Sequence, residues 1–474
     1  MDTKDTEKAV GKMEFWRINL SKRKSSILLE VLKLQTEKKP VELIDWTHEE
    51  SEVRGFLQCL PYISQLRFST ETLQQLVSVV CEAQDDELTR CFLEKVSKDL
   101  TSCSLTWKQI QYLLQHQPLE LDFRKSEISS ENIRELLPWL GKLQLKRLSP
   151  SFLLSNIVEI YESRSPQYVS GLLSSVENDI KLKSKVLDSV QCAALRFTLQ
   201  HCNTVKLNLF WTSIPDEELK SFLPLLNRLT QLSVDRQLLL KLLHCCSSSD
   251  DQQEAADLLL SALHNRLDFS CCSSLDLTVT RKKQNHLKLT NKDCRIISSV
   301  LQKTQNVVKL VLEDCDVSNT ALKELLPILS QVQLSCSKGL LLQLLCCISK
   351  GTKRSSVRWT GALSQALGEE LDLSHTQMDQ RACEQLAVFL EYSDGLTELD
   401  LSHCKLTDQY METLLPHLHK TQTLDLSHNI ITDEIANRIH RVVSTHNNIQ
   451  TVRLFGNRIK DRKPFTGDKR FEIW

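Results

Sequence analysis

An α/β fold, built as a solenoid of leucine-rich repeats, is what this sequence predicts. Three observations carry the prediction. Leu-x-Leu pairs followed by Asn, Cys or Thr recur at near-constant spacing toward the C-terminus. Each pair is followed by a stretch with helical apolar spacing. Upstream, a longer cassette repeats with the same kind of strand at its start. Self-similarity at a period of roughly 20–29 residues is the mark of strand–helix units that bury their apolar faces only by stacking.

Taken in chain order, residues 1–38 precede the array. Ile27, Leu28, Val31 and Leu32 have helical spacing behind Ser25 and Ser26, either of which suits an N-cap. The expectation is a helical cap. Residues 39–365 read as irregular repeats with inserted helix pairs, in cassettes near 41–120, 121–204, 205–306 and 307–367. Phe56-Leu57-Gln58-Cys59-Leu60, Leu136-Leu137-Pro138-Trp139-Leu140, Phe222-Leu223-Pro224-Leu225-Leu226 and Leu325-Leu326-Pro327-Ile328-Leu329 are their markers. From Leu57 through Leu137 and Leu223 to Leu326 the steps are 80, 86 and 103 residues. Each marker leads into a short strand (Leu66–Phe68, Leu145–Leu148, Leu232–Val234, Val332–Leu334) and then two apolar helical stretches. The second stretches are Asp85–Leu100, Pro166–Ile180, Asp251–Leu267 and Arg354–Leu367. Earlier strands are expected at Val41–Trp46, Leu121-x-Phe123, Leu207-x-Leu209 and Leu287-x-Leu289. The N-terminal two-thirds is thus expected to be helix-rich and irregular.

Residues 366–462 read as regular repeats. The pattern is Leu396-x-x-Leu399-x-Leu401-x-x-Cys404-x-Leu406, then Thr421-x-x-Leu424-x-Leu426-x-x-Asn429-x-Ile431, then Ile449-x-x-Val452-x-Leu454-x-x-Asn457-x-Ile459. Leu371-x-Leu373-x-x-Thr376-x-Met378 opens the series, and Leu371, Leu399, Leu424 and Val452 follow one another at 28, 25 and 28 residues. The alternating leucines of a short strand point inward, and the Asn or Cys bonds backbone groups of adjacent coils. Units of this length with a full helix correspond to the ribonuclease-inhibitor type of horseshoe. Residues 463–474 carry Phe465, Phe471 and Trp474 among charges and read as a folded-back cap or a free peptide that docks a partner.

Composition narrows the function. Lys plus Arg is 59 and Asp plus Glu 60, a net charge of −1, which argues against a dominant nucleic-acid or acidic-membrane partner. The clusters Lys22-Arg23-Lys24 and Arg281-Lys282-Lys283 read as solvated. The apolar stretches Leu238–Cys246 and Leu340–Ile348 fall short of the ~20 residues of a spanning helix, and residues 1–16 lack a secretory leader's pattern. Seventeen cysteines, an odd number often inside apolar runs, read as buried thiols of a cytoplasmic protein.

The Leu-Asp-Leu-Ser-His strands at 371–375, 399–403 and 424–428 resemble the ribonuclease-inhibitor-like repeats of NOD-like receptors. The resemblance is specific over about the last hundred residues and looser over 41–365. It implies a non-enzymatic scaffold in cytosolic innate immune recognition, signalling or its regulation, binding a protein on the concave face. The nucleotide-binding (NACHT) module of that family has a G-x-x-x-x-G-K-[ST] phosphate loop, and no such segment occurs in this sequence. A ribonuclease-inhibitor-like inhibitor or a substrate-recognition adaptor is the alternative, although no F-box-like motif is visible in residues 1–40.

No catalytic, cofactor-binding or metal-binding residues are expected: G-x-S-x-G and C-x-x-C are absent, and His48-Glu49-Glu50-Ser51-Glu52 is not H-E-x-x-H. Candidate partner-binding residues follow from the repeat alignment. Asp372, Asp400 and Asp425, with Ser374, Ser402 and Ser427 and then His375, His403 and His428, should form columns on the concave face, because neighbouring strands lie about 4.8 Å apart. Such columns are repeat consensus or an acidic, titratable strip for a basic partner. Phe210 and Trp211 align with Ser402 and His403, and are binding anchors unless inserted helices cover them.

Overall fold

The computed structural model describes residues 15–20, 24–45, 49–96, 98–249, 251–270 and 286–473. Trp46, His48, the cluster at 281–283, Lys22-Arg23, Cys271-Cys272, Trp474 and most of the expected cap's first half lie outside the described residues. Leucine-bearing strands and amphipathic helices alternate along the chain, which makes a helix-rich α/β fold with small parallel sheets. Its contacts divide it into two compact units, Met1–Ile214 with Arg228–Thr230, and Pro215–Asn227 with Gln231–Trp474.

In the first unit, β1 (Trp16–Asn19), β2 (Lys39–Asp45) and β3 (Ile63–Arg67) form one parallel sheet in that order. β4 (Leu119–Asp122) pairs in parallel with β5 (Leu143–Lys146), setting Leu119 and Leu121 beside Leu143 and Leu145. β6 (Asp179–Lys181) pairs likewise with β7 (Val205–Leu209). The period-2 pattern explains the sorting, since Val205, Leu207 and Leu209 are buried while Lys206 is exposed. β8 (Leu229–Val234) crosses the boundary between the units.

In the second unit, β9 (Arg266–Asp268), β11 (Val308–Leu312) and β13 (Val332–Cys336) make a parallel sheet, and β10 (Leu287–Leu289) pairs with β12 (Cys315–Val317). The last sheet is the most regular: β14 (Glu370–Asp372), β15 (Leu396–Asp400), β16 (Thr421–Asp425), β17 (Thr451–Arg453) and β18 (Phe471–Glu472) lie side by side in parallel. Leu371, Leu399, Leu424 and Val452 stand in one inward row, in register. All four are buried, at about 1.5–3 kcal/mol for each apolar side chain removed from water.

Three of the four cassette markers, and the Leu415-Pro416 pair of the regular repeats, act as a device for ending a helix; in the fourth, Phe222–Leu226, Pro224 lies inside the 3₁₀ segment Lys220–Arg228. In Leu60-Pro61, Leu137-Pro138, Leu326-Pro327 and Leu415-Pro416 the proline sits in the first turn of a 3₁₀ segment. That segment runs straight into β3, β5, β13 or β16. Proline cannot donate to an α-helical ladder, so the turn tightens and the chain reaches the next strand in few residues. The second helical stretches are present as Asp86–Lys95, Val169–Ser175, Gln252–Ala262 and Lys353–Ala366.

Two local expectations are corrected. The first helix is Ser25–Lys33, and Lys24 occupies its N-cap position without a side-chain bond. Ser25 is inside the helix, and its N–H and Oγ both donate to Glu52 Oε2 at 2.7 Å. A carboxylate from the next helix supplies the cap, which a local motif could not reveal. The early strand at Leu121-x-Phe123 begins two residues sooner, with Leu119 and Leu121 as its inward pair.

The residues after 462 fold back. β18 extends the last sheet, and Phe465 and Phe471 are 3% and 9% exposed, packed on each other and on His440. Arg470 Nη1 donates to the Val443 and His446 carbonyls at 2.8 and 3.4 Å, tying the tail to the end of the helix Asp433–Thr445.

Candidate functional site

Two residues after the second inward leucine of a strand, the backbone turns left-handed. Ser184, Trp211, Asp314, His375, His403, His428 and Gly456 all have φ between +55° and +65°. Trp211 and His403 therefore share one backbone position. Just before that leucine stands an Asx residue that closes the turn: Asn208, Asp372, Asp400 and Asp425 each accept, through Oδ1, from the N–H two residues on, at 3.2, 2.8, 2.8 and 2.9 Å. The aspartate column has a structural job as well as a charge.

The left-handed turn throws the three histidine rings outward. His375, His403 and His428 are exposed and stack face to face, with centroids 4.3 and 4.2 Å apart and planes 10° and 12° from parallel. The stack ends on Gly456, where a Cβ would come within 2.5 Å of His428 Nδ1. The missing Cβ makes the seat for the ring, whereas the left-handed backbone is one that six non-glycine residues adopt at the equivalent position. Stacked parallel, the ring nitrogens do not converge on one point. No group of three or more His, Cys, Asp or Glu able to hold a metal ion occurs among the described residues.

The serines behave otherwise than expected. Ser374 and Ser427 are buried and Ser402 is half-buried, so the hydroxyl column lies beneath the surface. The outward turn that exposes each histidine tucks the serine before it inward.

Asp372, Asp400 and Asp425 do stand in register, and the repulsion expected of stacked carboxylates is met at both ends of the row. Lys338 Nζ donates to Asp372 Oδ1 at 2.9 Å and to Ser374 O and Oγ at 2.7 and 2.6 Å. Burial pushes the Asp372 carboxyl up, but the Lys338 ammonium and the Ser374 hydroxyl and N–H outweigh it and hold it below the usual carboxylate value. At the other end Arg453, in register with Asp425, lies 3.8 Å from it, 3.6 Å from Glu398 and 3.2 Å from Glu472. Even so, the strands of this sheet carry Glu370, Asp372, Glu398, Asp400, Asp425 and Glu472 against Arg453 alone. Desolvation in the stack lowers the His403 imidazole, and His428 and His375 lower it further against the pull of Asp400 and Asp425. At neutral pH this face is acidic.

Phe210 and Trp211 belong to the first unit. Trp211 is 46% exposed, Phe210 is half-buried, and their ring centroids are 5.9 Å apart. Among the described residues, no helix buries Trp211. Sequence spacing identified both columns, but Lys338, Arg453 and Gly456 escaped it. Gly456 and Arg453 left a trace, as the residues that replace histidine and aspartate in the last repeat.

With this geometry in hand, comparison with known proteins adds one segment. A Leucine Rich repeat family model matches residues 396–409 and 418–438. A leucine-rich repeat lies here. The matched segment holds β15, β16, Asp400, His403, Asp425 and His428. No curated protein matches the chain. Among solved structures, a chain of the Rad7 and Elc1 complex in yeast is similar at 13% identity, with 73% of this chain and 91% of that chain covered and a TM-score of 0.19. No helix among the described residues is long and apolar enough to cross a membrane.

Proposed function

We propose that this chain is a non-enzymatic protein-interaction scaffold. Its binding strip is the outward side of β14–β17, and it recognises a basic surface on a protein partner. The observation that supports this most is the histidine stack set among four strands that carry five carboxylates against one guanidinium. Aligned side chains on adjacent strands offer a partner a repeated, preorganised pattern, and charge complementarity of this kind speeds and selects association. The strand–helix units are read as one ribonuclease-inhibitor-like leucine-rich solenoid, in which each unit adds binding area without altering the fold. A cytoplasmic role of the NOD-like-receptor kind, in innate immune recognition or its regulation, rests on the Leu-Asp-Leu-Ser-His resemblance. An inhibitor or substrate-recognition adaptor is the second reading of the same scaffold.

The test separates charge from structure. Asp400→Asn with Asp425→Asn keeps the Asx acceptor and removes the charge. Against a partner captured from cytosol and then purified, the double variant should bind at least tenfold more weakly by calorimetry, at unchanged melting temperature. Equal affinity of the two forms would sink the strip as a binding site.

A further inference from the structure

The chain as a whole is close to neutral, with a net charge of −1, yet the histidine strip of the second unit is acidic. A surface of opposite character lies in the first unit. β6 and β7 pair so that Asp179 stands beside Lys206 and Lys181 beside Asn208. Past the strands their two turns run on together. The Ser184 N–H donates to the Phe210 carbonyl at 3.0 Å, and the Ser213 N–H to the Lys185 carbonyl at 2.8 Å. The half-exposed Trp211 therefore shares an edge with the turn that carries Lys183 and Val186. Val186, and Val190 in the first turn of the helix Ser189–Gln200, are 82% and 50% exposed. Over 179–188 and 205–213 the charges are Lys181, Lys183, Lys185 and Lys206 against Asp179 and Asp188. Lys181 is paired with Asp179 at 2.9 Å, and Lys185 Nζ donates to Ser151 Oγ at 2.5 Å. Lys183 and Lys206 are exposed and have no ion-pair partner among the described residues. The patch is thus apolar at its edge and positive around it.

We propose, on the reading of β14–β17 as a site for a basic protein surface, that this surface is the Trp211 patch of a second copy of the chain. The two surfaces match in charge, with the Lys183 and Lys206 ammonium groups on one and the Glu370, Glu398, Asp400 and Asp425 carboxylates on the other. They also match in position. Lys206 stands just before the first leucine of its Leu-x-Leu pair, Leu207, as Glu370 and Glu398 stand before Leu371 and Leu399. Trp211 occupies the same left-handed turn position as His375, His403 and His428. An indole and a ladder of imidazoles are therefore held at equal steps from their flanking charges, and such rings pack edge to face or offset. A net charge near zero leaves little long-range repulsion between copies, while local opposite patches steer them together. A single-stranded nucleic acid is the less fitting occupant, because Asp179 and Asp188 lie within the patch and such strands favour an uninterrupted basic groove with several stacking rings.

The experiment is sedimentation velocity on the full chain over a wide range of concentration. At about 0.05 M salt the weight-average mass should rise with concentration. At about 1 M salt, where the screening length falls to about 3 Å, it should stay that of one chain. Lys183→Glu with Lys206→Glu should weaken association at least tenfold at unchanged melting temperature, because both side chains are exposed. Glu370→Lys with Glu398→Lys should do the same from the other side, since these carboxylates are not the ones that close the turns. An equimolar mixture of the two double variants should associate again, each supplying the surface that the other has reversed, which a misfolded variant could not do. A single-chain mass at every concentration in low salt, association that ignores both variants, or a mixture that stays apart overturns the proposal. So does a single-chain mass together with binding of fluorescein-labelled oligo(dT) that Lys183→Glu with Lys206→Glu abolishes, which assigns the patch to a nucleic acid. A fluorescein-labelled hexalysine peptide tells this failure from that of the strip itself. If the single chain binds hexalysine and Asp400→Asn with Asp425→Asn removes the binding, the acidic strip stands and only the second copy is refuted; if hexalysine is not bound either, both fall.

Discussion

The stacked imidazoles of His375, His403 and His428 show how much one backbone angle decides. At φ near +57° a non-glycine residue is uncommon, and histidine is among those that tolerate it. Because the angle repeats from strand to strand, the rings meet face to face at about the inter-strand spacing. The stack has a consequence for pH. Desolvation and the two neighbouring rings depress the folded-state pKa of His403. The unfolded chain therefore binds more protons around the ordinary histidine value, about 6.5, and stability rises with pH there. This contribution is complete above that value and is lost as pH falls through the lower folded-state value. Urea midpoints measured from pH 7.5 to 5 should fall, and His403→Asn should flatten the fall; an unchanged slope in the variant would refute the assignment. The two histidine neighbours were legible in the sequence because the repeat spacing is regular. Lys338 was not legible, because the helix that carries it reaches Asp372 across 34 residues.

At the scale of elements, Asn429 is what locks one coil to the next. Its Oδ1 accepts from the Cys404 and Leu406 N–H groups at 3.0 and 2.9 Å, and its Nδ2 donates to the Leu401 and Leu426 carbonyls at 2.8 and 2.9 Å. Cys404 does a smaller share of the same work, its Sγ donating to the Leu373 carbonyl at 3.1 Å. Asn429→Ala would orphan two buried N–H groups at ~1–3 kcal/mol each. A loss of about 2–4 kcal/mol in chemical denaturation is expected, against less than about 1 kcal/mol for Gln422→Ala, exposed on β16 of the same repeat. Comparable losses for the two would show that the asparagine is replaceable. The Leu-Pro turns were visible as a repeated string, but their role as 3₁₀ entries to strands follows from where the proline falls in the folded helix.

At the scale of the whole molecule, the described residues hold two compact units, each with its own buried leucines. Unfolding should then depart from a single two-state transition. Calorimetry is expected to give a van't Hoff enthalpy below the calorimetric one. Leu195→Ala, in the first unit's fully buried core, should cost about 2–5 kcal/mol and shift one component while leaving the other in place. One transition, moved as a whole, would show that the two units unfold together. Division into units was not legible in the repeat pattern, since the same strand–helix signal runs through both.

Periodicity alone determined that Leu-x-Leu segments become parallel strands with helices between them, and which side chains share a row. A period-2 strand and a helix stripe have one way each to hide their leucines, and stacking repeats that choice. Only the tertiary structure decided what closes each row, because closure depends on residues far apart in the chain. Glu52 capping the helix that begins at Ser25, Lys338 holding Asp372, and Arg470 sealing the end of Asp433–Thr445 are all contacts over 24 residues or more, with no period to announce them.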